Sequence, residues 1–291
     1  MKFPIQKSAI PEAYTFEIHD LKAPFFDPNW HFHPEYQLFV VMKGSGTRFI
    51  GDNIKHFQEG DMVFTGPNLP HLWRSDDIYF HHEGLETHGI VIYFSEQFMG
   101  KEFLKKKEME KIKQLFEGAE RGLEFLGGTN REVTQLMREC IRLKGFDRVI
   151  ALMQILNALS LSKEFNYISS LGYLNTHSES DSGRMQKVYD YVMKKFKEKI
   201  SLDDVSSLIN MSPSSFSRYF KSRANKTFSD FVIEIRIGYA CKLLLEGNLS
   251  VTQIAYECGF RTLSNFNRKF KEINNNSPLG YKKEFSKVIS A

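Results

Sequence analysis

Apolar residues change their spacing twice along this chain. Up to about residue 94 they fall in short runs, 14–18, 37–42, 47–50, 62–65 and 89–94, rich in β-branched and aromatic side chains and separated by Gly, Pro, Asp and Asn. Strand-and-turn spacing of this kind predicts an all-β sandwich or barrel. Between residues 95 and 170 the pattern predicts helices over 95–104, 109–117, 131–143 and 147–165. The last carries Ile150, Met153, Leu156 and Leu159 on a nearly all-round apolar surface. That is more than one flank can bury, so it predicts a partner helix from the same chain or from a second copy. A polar stretch over 172–183 then reads as an interdomain linker. Met185, Val188, Tyr189, Val192 and Phe196 restart a helix at i, i+3, i+4, i+7 and i+11.

The last third repeats itself. Ser214, Phe216, Arg218, Phe220, Lys221 and Asn225 return 50 residues later as Ser264, Phe266, Arg268, Phe270, Lys271 and Asn275. In each copy the two Phe lie at i and i+4 on one buried stripe, and the Arg between them points elsewhere. A short helix precedes each copy: 202–209 after the N-cap Ser201, closed by Asn210, and 251–258 after Ser250, closed by Gly259. Asn and Gly both accept the left-handed conformation that ends a helix sharply. Ser212 and Pro213 then start the next helix in the first copy. Helix, sharp turn and helix with an outward Arg is the helix-turn-helix layout, whose second helix enters the DNA major groove.

Charge agrees with a polyanion partner for this part alone. Residues 184–291 hold nineteen Lys and Arg against ten Asp and Glu, a balance of +9, whereas residues 1–183 carry −5. The stretch Ile254-Ala255-Tyr256-Glu257-Cys258-Gly259-Phe260, with Ser264, Phe266, Arg268, Phe270-Lys271, Ser277-Pro278 and Tyr281, resembles the C-terminal signature of the AraC/XylS family of bacterial transcription regulators. Asn225 and Asn275 stand where that family usually has Gly, and Lys282 follows the final Tyr. The resemblance implies two helix-turn-helix subdomains joined by a long helix, here 229–246 and ended by Gly247-Asn248. It also implies base readout by Ser214, Ser215, Ser217 and Arg218 in the first recognition helix, and by Leu263, Ser264, Asn265 and Arg268 in the second. Arg forks to guanine, Asn to adenine, and Leu touches a thymine methyl. Lys221, Arg223, Lys226, Arg261, Lys269 and Lys271 are expected at phosphates.

The N-terminal half carries other chemistry. Trp30-His31-Phe32-His33-Pro34-Glu35-Tyr36-Gln37, Lys43-Gly44-Ser45-Gly46, Glu59-Gly60-Asp61, Gly66-Pro67 and Pro70-His71 resemble the two motifs of the cupins, small jelly-roll barrels found in the sensor half of many such regulators. Metal-binding cupins gather two His spaced by one residue, a carboxylate and a later His. Alternation along a strand would aim His31 and His33 into the barrel, with His71 arriving from another strand. Gln37 occupies the expected Glu position, and Glu35 has the same parity. With the carboxylate displaced, no metal and no cofactor is expected, and the pocket is read instead as an organic effector site, for a sugar or related metabolite. Trp30, His31, His33, Gln37, His71 and Trp73 would line it. His81, His82 and His88 read as surface or strand residues.

At 291 residues the chain supports two domains with substantial cores. Neither a signal peptide nor an 18-residue apolar run is seen, which predicts a cytoplasmic protein with no membrane partner. Cys140, Cys241 and Cys258 lie singly on predicted helices and read as reduced and structural. The expected architecture is multidomain α+β: a cupin-like β-barrel with a helical dimerisation segment over 1–171, a linker over 172–183, and an all-α double helix-turn-helix domain over 184–291. The expected function is sequence-specific DNA binding by a homodimer that answers a small-molecule effector, engages the transcription machinery and catalyses nothing. A cupin metalloenzyme fused to a DNA-binding module and a ligand-independent dimeric regulator are the alternatives. Metal content with substrate turnover separates the first, and ligand-induced stabilisation the second.

Overall fold

A computed structural model of the chain describes residues 10–11, 13–81, 84–171, 173 and 179–289. The chain divides into two compact units, one of residues 1–53 and 57–175, the other of residues 54–56 and 176–291.

The first unit holds β1 (Phe16–Ala23), β2 (Tyr36–Lys43), β3 (Gly46–Ile50), β4 (Asn53–Phe57), β5 (Met62–Thr65), β6 (His71–Ser75), β7 (Thr87–Phe94), β8 (Leu123–Phe125) and β9 (Phe165–Tyr167). They form a six-stranded sheet, β1-β7-β2-β5-β8-β9, and a three-stranded sheet, β4-β3-β6. Strand β2 is buried continuously from Tyr36 to Val41 because both of its faces are covered. Tyr36, Leu38 and Val40 pack with the helices α1 (Glu110–Ala119), α2 (Gly127–Cys140) and α3 (Phe146–Leu161). Phe39 and Val41, of opposite parity, pack with Ile50, Phe57 and Trp73 of the small sheet. Between the sheets Arg48, 1% exposed, donates from Nε to Asp61 at 3.1 Å and from Nη2 to Glu124 at 2.7 Å.

Two expectations change here, and a third is resolved. Residues 95–104 are turns leading into a single 3-10 turn, with Gly100 at φ 90°, rather than a helix. Helix α3 ends at Leu161, and Phe165 instead opens β9, which pairs with β8; three-residue strands are too short to show a period. The apolar helix does find partner helices within its own chain: α3 packs against α2 and α1, and its Leu152, Ile155, Leu156 and Leu159, each at most 2% exposed, join the core those helices share with the sheet. What faces outward on α3 is a different row, with Phe146 72%, Ile150 43% and Leu161 61% exposed.

The second unit consists of α4 (Glu179–Lys195), α5 (Leu202–Leu208), α6 (Pro213–Ala224), α7 (Phe228–Glu246), α8 (Val251–Glu257), α9 (Leu263–Asn274) and α10 (Pro278–Ile289). Helix α4 starts at Glu179, inside the stretch expected to be linker; residues 172 and 174–178 of that stretch lie outside the described residues. The caps explain why the sequence breaks where it does. Ser201, Ser212, Thr227, Ser250 and Thr262 each accept a backbone N–H three residues on, and Ser250 forms a full capping box with Gln253. Asn210, Asn225 and Asn275 take φ of 53–54°, so Asn does close these helices in the left-handed region. Two Phe-rich cores result, one on Phe216, Phe220, Phe228 and Phe231, the other on Phe260, Phe266 and Phe270. Arg236 of α7 donates to the carbonyls of Phe196 and Glu198, both at 2.7 Å. Gly259, at φ 80°, lies so close to the same segment that a Cβ there would stand 2.5 Å from the Lys197 carbonyl oxygen.

Candidate nucleic-acid interface and sensor cluster

Helices α6 and α9 bury their Phe pairs completely, which fixes what the opposite face presents. On α6 that face carries Ser214, Ser217, Arg218 and Lys221, all exposed, at i, i+3, i+4 and i+7. The serines are locally engaged: Ser217 Oγ donates to the Pro213 carbonyl at 2.9 Å, and Ser212 Oγ bonds Ser214 and the half-buried Ser215. Arg218 has no partner among the described residues, so its whole fork is available to a base or phosphate.

Helix α9 presents Ser264, Asn265, Arg268 and Lys271, again exposed, but its Arg is braced. Arg268 donates from Nη1 to Glu272 at 2.7 Å and from Nη2 to the Asn265 side chain at 2.9 Å. Those contacts, with Lys269 ahead of Arg268, hold the Glu272 carboxyl below its ordinary range. Leu263 is half-buried against the second core, which limits its reach toward a thymine methyl. Asn267 is exposed on the same face and was missed, although it stands 50 residues after Ser217 and the repeat itself points to it. Among the expected phosphate contacts, Lys226 is paired with Glu234, Lys269 with Glu272, and Arg223 lies over the Tyr219 ring, whereas Arg261, Lys221 and Lys271 are exposed.

The first unit brings the other expected residues together. His31 bridges to His71 through backbone hydrogen bonds of 3.2 and 2.9 Å, and His33 follows in the loop before β2. One ring nitrogen from each of His31, His33 and His71 lies within 4.8 Å of the others. Every Nδ1 is directed at a carbonyl: Asn29 at 2.7 Å, Glu35 at 3.2 Å and Leu69 at 2.7 Å. A carbonyl only accepts, so each Nδ1 carries a proton. His33 Nε2 and His71 Nε2 each stand 3.1 Å from Gln37 Oε1. Burial lowers the pKa of His31, and burial with the neighbouring imidazoles puts His71 well below its ordinary value, so both are neutral. Glu35 does not face this point. Its carboxylate lies behind the ring, 3.4 Å from His33 Nδ1, in a side chain 3% exposed.

Trp73 adjoins the cluster with its ring 5.7 Å from His71 and 4.7 Å from Phe39, edge to face with both, and Trp30 is buried beside His31 in sequence. Its faces are therefore covered by protein. Three imidazole nitrogens and one amide form a donor set that fits a borderline divalent ion. His88 is a strand residue paired with Asp20, and His82 lies outside the described residues.

The cluster adjoins the segment by which the chain leaves the barrel. His71 pairs in register with Ile50, and Gly51 N–H bonds the Pro70 carbonyl at 2.9 Å. Ser170 bonds Asp52 through both its N–H and its hydroxyl, while a Cβ on Gly51 would meet Ser169 Oγ at 2.2 Å.

Comparison with known proteins agrees with both halves. Residues 205–284 match the family described as a helix-turn-helix domain, and residues 21–77 the cupin domain family. The HTH-type transcriptional regulator YdeC of Bacillus subtilis (strain 168) is 25% identical over 263 residues, 87% of this chain and 85% of its own length. An HTH-type transcriptional regulator from the cgkA 5′ region of Pseudoalteromonas carrageenovora is 35% identical over 102 residues, 35% of this chain and 60% of that one. The crystal structure of ToxT from Vibrio cholerae O395 aligns with 92% of this chain and 97% of its own at 16% identity, with a TM-score of 0.37. Among the described residues no helix is long and apolar enough to cross a membrane. The chain therefore carries a cupin domain followed by a helix-turn-helix domain, and over most of its length it is similar to HTH-type transcriptional regulators.

Proposed function

We propose that this regulator is effector-responsive: the barrel unit senses a small occupant at His31, His33, Gln37 and His71, and α6 and α9 read two successive major-groove segments. The domain roles follow the expected division, sensing and pairing over 1–171 and DNA binding over 184–291. One observation supports the sensor half most directly. The buried His33 and His71 both turn Nε2 toward one amide oxygen, Gln37 Oε1, which cannot by itself match every polar atom gathered there, and buried polar groups are normally matched by a partner. The spacing of at most 4.8 Å between their nitrogens suits an atom or a small group better than a sugar ring.

A second copy is the proposed occupant of the outward row on α3. Phe146, Ile150, Met153 and Asn157 recur at i, i+4, i+7 and i+11, the seam of a helix pair, and line a groove of about 460 Å³ with Met109 and Leu161. Asp147 in the first turn and Lys163 just past the last would meet across an antiparallel pair.

Selection of duplexes by the full chain from a random library tests the DNA half. The expected outcome is a site with two contacts about 10 base pairs apart. Arg218→Ala and Arg268→Ala should each relax one part of it, at about 1–3 kcal/mol. Equal binding of selected and random duplexes would defeat the reading.

A further inference from the structure

We propose that the groove between the two helix-turn-helix halves of the second unit is a ligand site of its own, which takes a small organic phosphate with a flat apolar body and so competes with DNA. It is independent of the barrel cluster and of whatever that cluster holds. The groove has a volume of about 690 Å³, within the range of about 300–1,000 Å³ usual for small-molecule pockets. Its walls are the segment 197–202 leading into α5, one side of α7, and the turn from α8 to α9. Phe228, Val232 and Arg236 recur every four residues along α7 and so share that side. Buried Phe228, Val232 and Phe260 supply apolar lining, and Tyr256, 58% exposed, adds a ring.

Unmatched positive charge decides what kind of molecule fits. Lys199, Arg236 and Arg261 line the groove, and Glu198 is the only acid among its described lining residues. That carboxylate is already held by Lys195 at 2.9 Å, and Lys197 Nζ turns to the Tyr239 hydroxyl at 3.1 Å. Arg236 spends Nε and Nη2 on the carbonyls of Phe196 and Glu198, so its Nη1 has no partner among the described residues. Lys199 and Arg261 are exposed and have none there either. Burial, with the Arg261 charge nearby, holds the Arg236 pKa below its ordinary value, and an anion between the two would relieve both.

A phosphate monoester carries close to two negative charges at neutral pH and offers three acceptor oxygens, which suits two guanidinium groups and an ammonium. The apolar lining argues for a free molecule rather than for the backbone of a duplex. A phosphodiester on DNA gains nothing from Phe228, Val232 and Phe260, whereas a ring carried by the ester would bury surface against them. Competition follows from two shared residues. Arg261, expected at a DNA phosphate, and Asn265, expected at a base, both line the groove, so an occupant that engages Arg261 takes it from the duplex. By linkage, DNA must then lower the affinity for the occupant by the same factor.

The test is calorimetric titration of the full chain with phenyl phosphate, inorganic phosphate and phenol at one ionic strength. One phenyl phosphate per chain is expected, with a Kd of about 1 mM or below, as an efficient ligand this small can reach. It should bind at least about 10-fold more tightly than inorganic phosphate, the worth of burying roughly 60 Å² of ring. Lys199→Ala and Arg261→Ala should each weaken it by roughly 2- to 5-fold, since both side chains are exposed. Ser229 is exposed and lines the groove, so Ser229→Trp should fill the space and abolish binding without disturbing a core residue. Saturating phenyl phosphate should lower affinity for a selected duplex more than inorganic phosphate does at equal ionic strength. Absence of saturable binding overturns the proposal, as does inorganic phosphate binding equally well or Ser229→Trp binding as wild type does. Lys199→Ala or Arg261→Ala weakening the duplex while the wild type takes up no phenyl phosphate would assign the groove to the DNA backbone instead. Phenyl phosphate that binds but leaves duplex affinity unchanged would overturn the competition.

Discussion

Two arginines at equivalent places in the repeat differ in what holds them, and this difference has a measurable outcome. Arg218 is unengaged among the described residues, whereas Arg268 must leave Glu272 before it can fork to a base. An exposed ion pair of this type is weak and screened by salt. Glu272→Ala should therefore tighten DNA binding by roughly 1.5- to 5-fold at low salt, with the gain fading as salt rises. Loss of affinity would mean that the brace orients Arg268 rather than competing for it. Arg48 makes the opposite kind of pair. Removing one partner of a buried network leaves charge uncompensated, so Arg48→Met should lower the stability of the barrel unit by about 3–5 kcal/mol. Trp30 and Trp73 are the two tryptophans of the chain and both lie in that unit, so urea unfolding followed by tryptophan emission reads it alone. The cap residues were legible because their chemistry is local. Glu35 was not: parity is a property of strands, β2 begins only at Tyr36, and the loop before it turns the carboxylate behind His33.

Among the elements, α3 shows where pattern reading stops. Its apolar residues lie on nearly all sides, so the sequence could call for a partner without saying which face met which. The core shared with α1, α2 and the sheet claims Leu152, Ile155, Leu156 and Leu159, and leaves Phe146, Ile150 and Leu161 outside. Two substitutions separate these faces. Leu156→Ala should destabilise the barrel unit by about 2–5 kcal/mol. Ile150→Glu should leave its unfolding within about 0.5 kcal/mol of wild type, since surface changes rarely cost more, and should shift sedimentation toward the monomer. If Ile150→Glu sediments unchanged, the α3 row does not pair subunits. The short strands β8 and β9 escaped notice for a related reason: three residues hold one and a half periods, and their identity as strands comes only from pairing with β5 and with each other.

For the whole molecule, the repeat and the charge contrast revealed both halves, and the cap residues gave the helix-turn-helix register almost to the residue. What they did not give is how firmly α6 and α9 are held together. Arg236 ties α7 to the end of the α4 segment, and the Gly259 turn presses on Lys197. Such bracing fixes the spacing of the two contacts, so five base pairs inserted between them should turn one to the far side of the duplex and remove most of the specific affinity. Unchanged affinity on the inserted site would show that one repeat alone reads DNA. Gly259→Ala should weaken binding even to the uninserted site, because the added Cβ meets backbone rather than a yielding side chain. The clasp of Ser169 and Ser170 on the Gly51–Asp52 turn bears on modular engineering. If the barrel unit senses an occupant as proposed, a chimaera that joins it to a foreign output domain with its cut before residue 168 would discard the clasp and should lose the response in a reporter assay. A cut after residue 173 would keep the clasp in the transplanted part.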